Sequence, residues 1–153
     1  MSKLKFMVTW ILFLLLMGTA IGAHASSDFN ELPTKQTSKQ WAVQVGEAKQ
    51  GKDLAKPQKG KFETYSLTVK NIGKDVESVD FYMFRNEPDS TTMYSLFSCP
   101  DGKDCNEVSE SIDKGMSFKF DNFIFAEKAT ELEVVILWTE NGRTLKETFT
   151  FTE

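Results

Sequence analysis

Beyond residue 40, apolar and polar residues alternate with a period of two, the pattern of strands that bury one face. Trp41, Val43 and Val45 alternate with Ala42 and Gln44 and begin a first strand. Residues 46–61 carry Gly51, Pro57 and Gly60 among many charges and predict a long loop, or two short edge pieces joined by one. Alternation resumes over residues 62–71, with Tyr65, Leu67 and Val69 on one face and Thr64, Ser66 and Thr68 on the other. Asn71-Ile72-Gly73-Lys74 is a turn signal. Residues 76–86 then set Val79, Phe81 and Met83 in one row and Tyr82 and Phe84 in the other, and Asn86-Glu87-Pro88-Asp89 closes the strand. A short strand over residues 92–98 runs into Cys99.

The last two segments predict more. Over residues 117–125 the apolar set changes parity, from Phe118 and Phe120 to Phe123 and Phe125. A regular strand keeps one parity per face, so a bulge or bend is expected at Asp121-Asn122. Asn141-Gly142 is a strong two-residue turn, because both residue types tolerate the positive φ of a type I′ turn. With these two as the loop, Glu140 pairs with Arg143, Trp138 with Leu145, Val134 with Phe149 and Leu132 with Phe151. Val135 then meets Thr148 and Leu137 meets Lys146 on the opposite face. Glu147 falls opposite Ile136 on the apolar face, which implies a nearby sheet edge or a partner for its carboxylate.

About seven short strands and no amphipathic helix define an all-β chain, a two-sheet antiparallel sandwich. The run Leu67-Thr68-Val69-Lys70-Asn71-Ile72-Gly73-Lys74 and the terminal hairpin of residues 132–151 resemble the immunoglobulin-like or fibronectin-III-like modules of bacterial envelope proteins. That resemblance implies a fold for residues 41–153 and no functional residues. The inter-sheet Cys…Trp…Cys arrangement of antibody domains is missing. In such a topology the strands containing Tyr82-Phe84 and Val135-Leu137 are the third and sixth, neighbours in one sheet. Tyr82, Phe84, Val135 and Leu137 would then form one outer apolar patch, a candidate partner site unless the leader or the lysine-rich loop covers it.

Residues 1–25 have the three-part plan of a cleavable signal peptide. Lys3 and Lys5 precede an apolar run, and Ala23-His24-Ala25 supplies the small residues of a cleavage site. The alternative is an uncleaved anchor, for which the apolar stretch is short. Residues 26–40, polar and containing Pro33, read as a flexible leader to the domain. The predicted organisation is thus signal peptide 1–25, leader 26–40 and sandwich domain 41–153, in a secreted or envelope-associated protein.

Charge narrows the partners. The signal holds two lysines and no acid, so the other 128 residues carry 16 basic and 22 acidic side chains. Nucleic acid is a poor partner for that balance. Seven lysines crowd residues 46–74, and Lys49, Lys52, Lys56, Lys59 and Lys61 could meet an anionic surface. Arginine is scarce, with only Arg85 and Arg143, which disfavours bidentate phosphate recognition.

The one histidine, His24, falls within the signal. The mature chain therefore lacks the commonest general base and neutral metal ligand, which excludes Ser-His-Asp, Cys-His and histidine-zinc chemistry. Cys99-Pro100-Asp101-Gly102-Lys103-Asp104-Cys105 reads as a disulfide-stapled turn contributing about 2 kcal/mol. Asp101 and Lys103 at its tip are candidate binding residues. The acids around it lack EF-hand spacing, and no carboxylate pair is singled out for hydrolysis. The expectation is a non-enzymatic exported binding module, without metal or cofactor, whose partner is a protein or an envelope polymer. The alternative is a secreted inhibitor of a hydrolase that inserts the 99–105 loop.

Overall fold

The computed structural model describes residues 27–29, 31–96 and 113–152. Nine strands occur among them: β1 (Ser27–Asp28), β2 (Thr34–Thr37), β3 (Trp41–Glu47), β4 (Phe62–Asn71), β5 (Ser78–Asn86), β6 (Tyr94–Ser95), β7 (Ser117–Ala126), β8 (Glu131–Glu140) and β9 (Arg143–Thr152). They form two sheets, ordered β1-β9-β8-β5-β6 and β2-β3-β4-β7. Pairing is antiparallel except between β1 and β9. The protein is an all-β sandwich, as the alternation requires. The predicted signal peptide (1–25), the expected disulfide between Cys99 and Cys105 and the candidates Asp101 and Lys103 lie outside the described residues.

The core is the inner rows of both sheets. Trp41, Val43, Val45, Leu67 and Val69 face Val79, Met83, Leu132, Val134 and Ile136, all buried. Trp138 meets Trp41 edge-on at 5.7 Å between ring centres, and Phe81 does so at 6.2 Å. Such offset contacts suit the ring quadrupoles.

The described part of residues 26–40, expected as a flexible leader, belongs to the sandwich. β2 pairs with β3 along its whole length, and β1 adds to β9. Phe29 is buried and stacks on Tyr65 at 5.0 Å, beside Phe125 at 5.2 Å. Gln40 is buried too. Its Nε2 donates to Asn71 Oδ1 at 2.8 Å and to the Lys74 carbonyl at 2.7 Å. Its carbonyl accepts from the amides of Ile72 and Gly73. A Cβ on Gly73 would lie 2.9 Å from Gln40 Cα, so this close approach requires glycine. Sparse hydrophobics hid the segment: Phe29, Leu32 and hydrogen bonds from the main chain and from the Gln36 and Gln40 side chains hold it, and none of these produces a period.

The terminal hairpin has the predicted register at every pair, from Glu140–Arg143 to Leu132–Phe151. Asn141 and Gly142 have φ of 51° and 70°, the left-handed values a type I′ turn needs. The bulge is also present. Tyr65 pairs with Phe123 and Leu67 with Phe120, so Asp121 and Asn122 together oppose Ser66. The extra residue lets Phe123 and Phe125 point into the core, as Phe118 and Phe120 do at the rim.

The two lateral edges of the sandwich differ. On one side β1, β2 and β9 meet, and Gln36 Nε2 donates across the sheets to the Thr150 carbonyl. On the other side lie β6 and β7, the last strands of their sheets.

Candidate functional site

The outer row forms as expected. β5 and β8 are neighbours, Tyr82 pairs with Val135, Leu137 sits opposite Asp80, and Phe84 lies opposite Glu133. The Tyr82 and Phe84 rings are parallel to within 3°, with centres 6.4 Å apart. None of the four side chains is openly exposed, however: Val135 is 7% exposed and the other three are half-buried. Stacked rings shield each other's faces, so the row is a flat, partly covered platform rather than a large apolar patch.

The lysine-rich loop does not run over this platform; it is tethered to β7. At the bulge, the Asp121 carbonyl accepts from the Lys49 amide at 2.9 Å. Asn122 Nδ2 donates to the carbonyls of Ala55 at 2.9 Å and Lys49 at 3.3 Å. The Lys49–Asp121 ion pair, at 2.7 Å, is solvent-exposed on both sides and adds little. Lys52, Lys56, Lys59 and Lys61 stand exposed. Bulge and loop together bring Asp53, Leu54 and Ala55 to the β6–β7 edge.

There they wall a cleft of about 540 Å³, within the range of roughly 300–1,000 Å³ typical of small-ligand sites. β5 contributes Met83 and Arg85, the end of β6 contributes Ser95 and Leu96, and β7 contributes Phe120, Asn122, Phe123 and Ile124. Most of the lining is apolar. Its one cation, Arg85, stands at an inward position of β5, continuing the row of Val79, Phe81 and Met83. A charge at such a position needs partners. Arg85 Nε donates to Glu87 Oε1 at 3.2 Å, and its guanidinium carbon lies 4.9 Å over the Tyr94 ring centre. Lys128 Nζ approaches the other oxygen of the same carboxylate at 2.7 Å. The Lys128 ammonium, and after it the Arg85 guanidinium, holds the Glu87 carboxyl below the usual carboxylate range against the opposing effect of burial. Glu87 in turn pushes Lys128 up. Two cations share one carboxylate, so the cluster carries a net positive charge. Among the described residues, the terminal nitrogens of Arg85 have no hydrogen-bonding partner.

The sequence reading named Arg85 only as a rarity and missed this site. The parity signal was present, since residues 79, 81, 83 and 85 share one face. The cleft itself depends on which strands end each sheet, and periodicity does not carry that.

Fold and cleft define a class, a two-sheet β-sandwich with one edge closed by β1, β2 and β9 and, among the described residues, a cleft at the other. A family model described as YozF-like secreted protein matches residues 24–153. The chain belongs to this family of secreted proteins, and its place is outside the cell. It is 45% identical to a Bacillus subtilis (strain 168) protein named Uncharacterized protein YozF, in an alignment of 159 residues covering 94% of this chain and 96% of that one. No solved structure matches.

Proposed function

We propose that the protein is a secreted, non-catalytic binding module that takes a small ligand in the cleft between β6 and β7. One observation carries this reading: an arginine occupies a core-facing position in a cleft with a mainly apolar lining, and the ends of its guanidinium have no hydrogen-bonding partner among the described residues. Placing a charge there costs free energy, and ligand recognition is one reason to retain it. The immunoglobulin-like likeness is supported by strand order. β3-β4-β7 opposite β9-β8-β5 follows the A-B-E and G-F-C arrangement of that fold. The absence of histidine after residue 24 supports a non-catalytic role.

The test is methyl-resolved NMR of the secreted protein against a panel of small amphiphiles, sugars and peptides. Shifts confined to Met83, Leu96 and Ile124 are the expected result. No shift at these methyls across the panel would remove the cleft as the site. The coplanar Tyr82–Phe84 pair favours a second reading, a partner lying flat on the outer platform. Shifts at Val135 and Leu137 instead would move the site there.

A further inference from the structure

We infer that the cleft accepts a carboxylate carried on an apolar body, with Arg85 as the anchor for the carboxylate. The inference rests on the cleft being the binding site and adds the chemistry of its ligand.

Three features of the cleft point to this class. The first is the orientation of the guanidinium. Glu87 takes the Nε edge at 3.2 Å, and the Tyr94 ring backs the guanidinium at 4.9 Å. Both hold the fork in place, so the terminal N–H groups are presented with little rotamer freedom left to lose. A planar fork so held matches the two oxygens of a carboxylate in a bidentate pair. The second is charge. Arg85 and Lys128 share Glu87, which leaves about one unit of positive charge, and a monoanion balances it. Lys52 and Lys56 flank the loop wall in sequence and outnumber Asp53, the one acid in the lining. The third is the remaining surface. Leu54, Leu96 and Ile124 offer apolar contact to a hydrocarbon body, beside the polar side chains of Asp53, Ser95 and Asn122, and apolar surface is the larger share of the lining. A volume of about 540 Å³ leaves room for a body of about a dozen non-hydrogen atoms.

The experiment titrates the full secreted chain with decanoate below its micellar concentration, and separately with decanol and with acetate. The readouts are the Arg85 side-chain N–H resonance and the Met83 and Leu96 methyls. Decanoate should move all three, and acetate and decanol should each bind about tenfold or more weakly, because each lacks one half of the recognition. Arg85→Met keeps the stem and removes the fork, and should weaken decanoate by about tenfold or more. Leu54→Asp, at a side chain 36% exposed on the loop wall, should weaken it without disturbing the core. Decanol binding as tightly as decanoate, or Arg85→Met binding decanoate unchanged, would overturn the carboxylate assignment and leave the cleft standing as a site. Silence of the Met83 and Leu96 methyls to all three probes would overturn both.

Discussion

Glu147 offers a direct measure of how the inner face is built. It stands on the core-facing row of β9, opposite the fully buried Ile136 and two residues before the buried Phe149. Its Oε2 is buried, and no donor reaches it among the described residues; the Nε1 atoms of Trp41 and Trp138 are in the same position. A buried polar atom without a partner costs about 1–3 kcal/mol. The side chain is only half-buried, because β1 covers β9 only at Phe151 and Thr152, so the lower part of that range applies. Glu147→Leu keeps the approximate volume, removes the unpaired oxygen and adds apolar contact with Ile136. We expect a gain of about 1–2 kcal/mol. For a chain of this size that raises the midpoint of thermal unfolding by about 3–8 °C. Urea unfolding at neutral pH measures the free energy directly. Lys146→Leu is the control, one residue away and exposed, and it should change stability by less than about 0.5 kcal/mol. A loss of 1 kcal/mol or more (roughly fivefold in the equilibrium) in Glu147→Leu would refute the reasoning. It would mean that the carboxylate is satisfied in solution, for instance through a water shared with an indole N–H.

Other substitutions test the remaining structural claims. Phe29→Ala should cost about 3–5 kcal/mol in chemical denaturation, since the ring fills the core beside Tyr65 and Phe125; a flexible leader would show no change. Gly142→Val places a branched side chain at φ 70° and should cost about 1–2 kcal/mol, read from the unfolding midpoint. Glu87 has a folded-state pKa below its unfolded one, so its contribution is present above the ordinary carboxylate range and is lost as pH falls through the depressed value. Wild type should therefore lose more stability than Glu87→Gln when acidified; equal acid sensitivity in urea melts at several pH values would count against the Arg85–Glu87–Lys128 cluster.

The sequence alone determined whatever depends on neighbours along the chain or on one turn. The type I′ turn at Asn141-Gly142 sets the count for its hairpin, and a single slip would turn Phe149 and Phe151 to solvent, so the register of β8 and β9 followed from residue types. The bulge at Asp121-Asn122 followed likewise from the change of parity among four phenylalanines. Tertiary structure decided the rest. Phe29 and Gln40 are held by residues distant in sequence, and their own segment has no period to betray them. The cleft exists because β6 and β7 end their sheets on the same side and because the bulge ties residues 53–55 beside them. Alternation along β5 reveals that Arg85 faces inward. Whether that inward position meets packed core or open space depends on where each sheet stops, and long-range strand pairing sets that boundary.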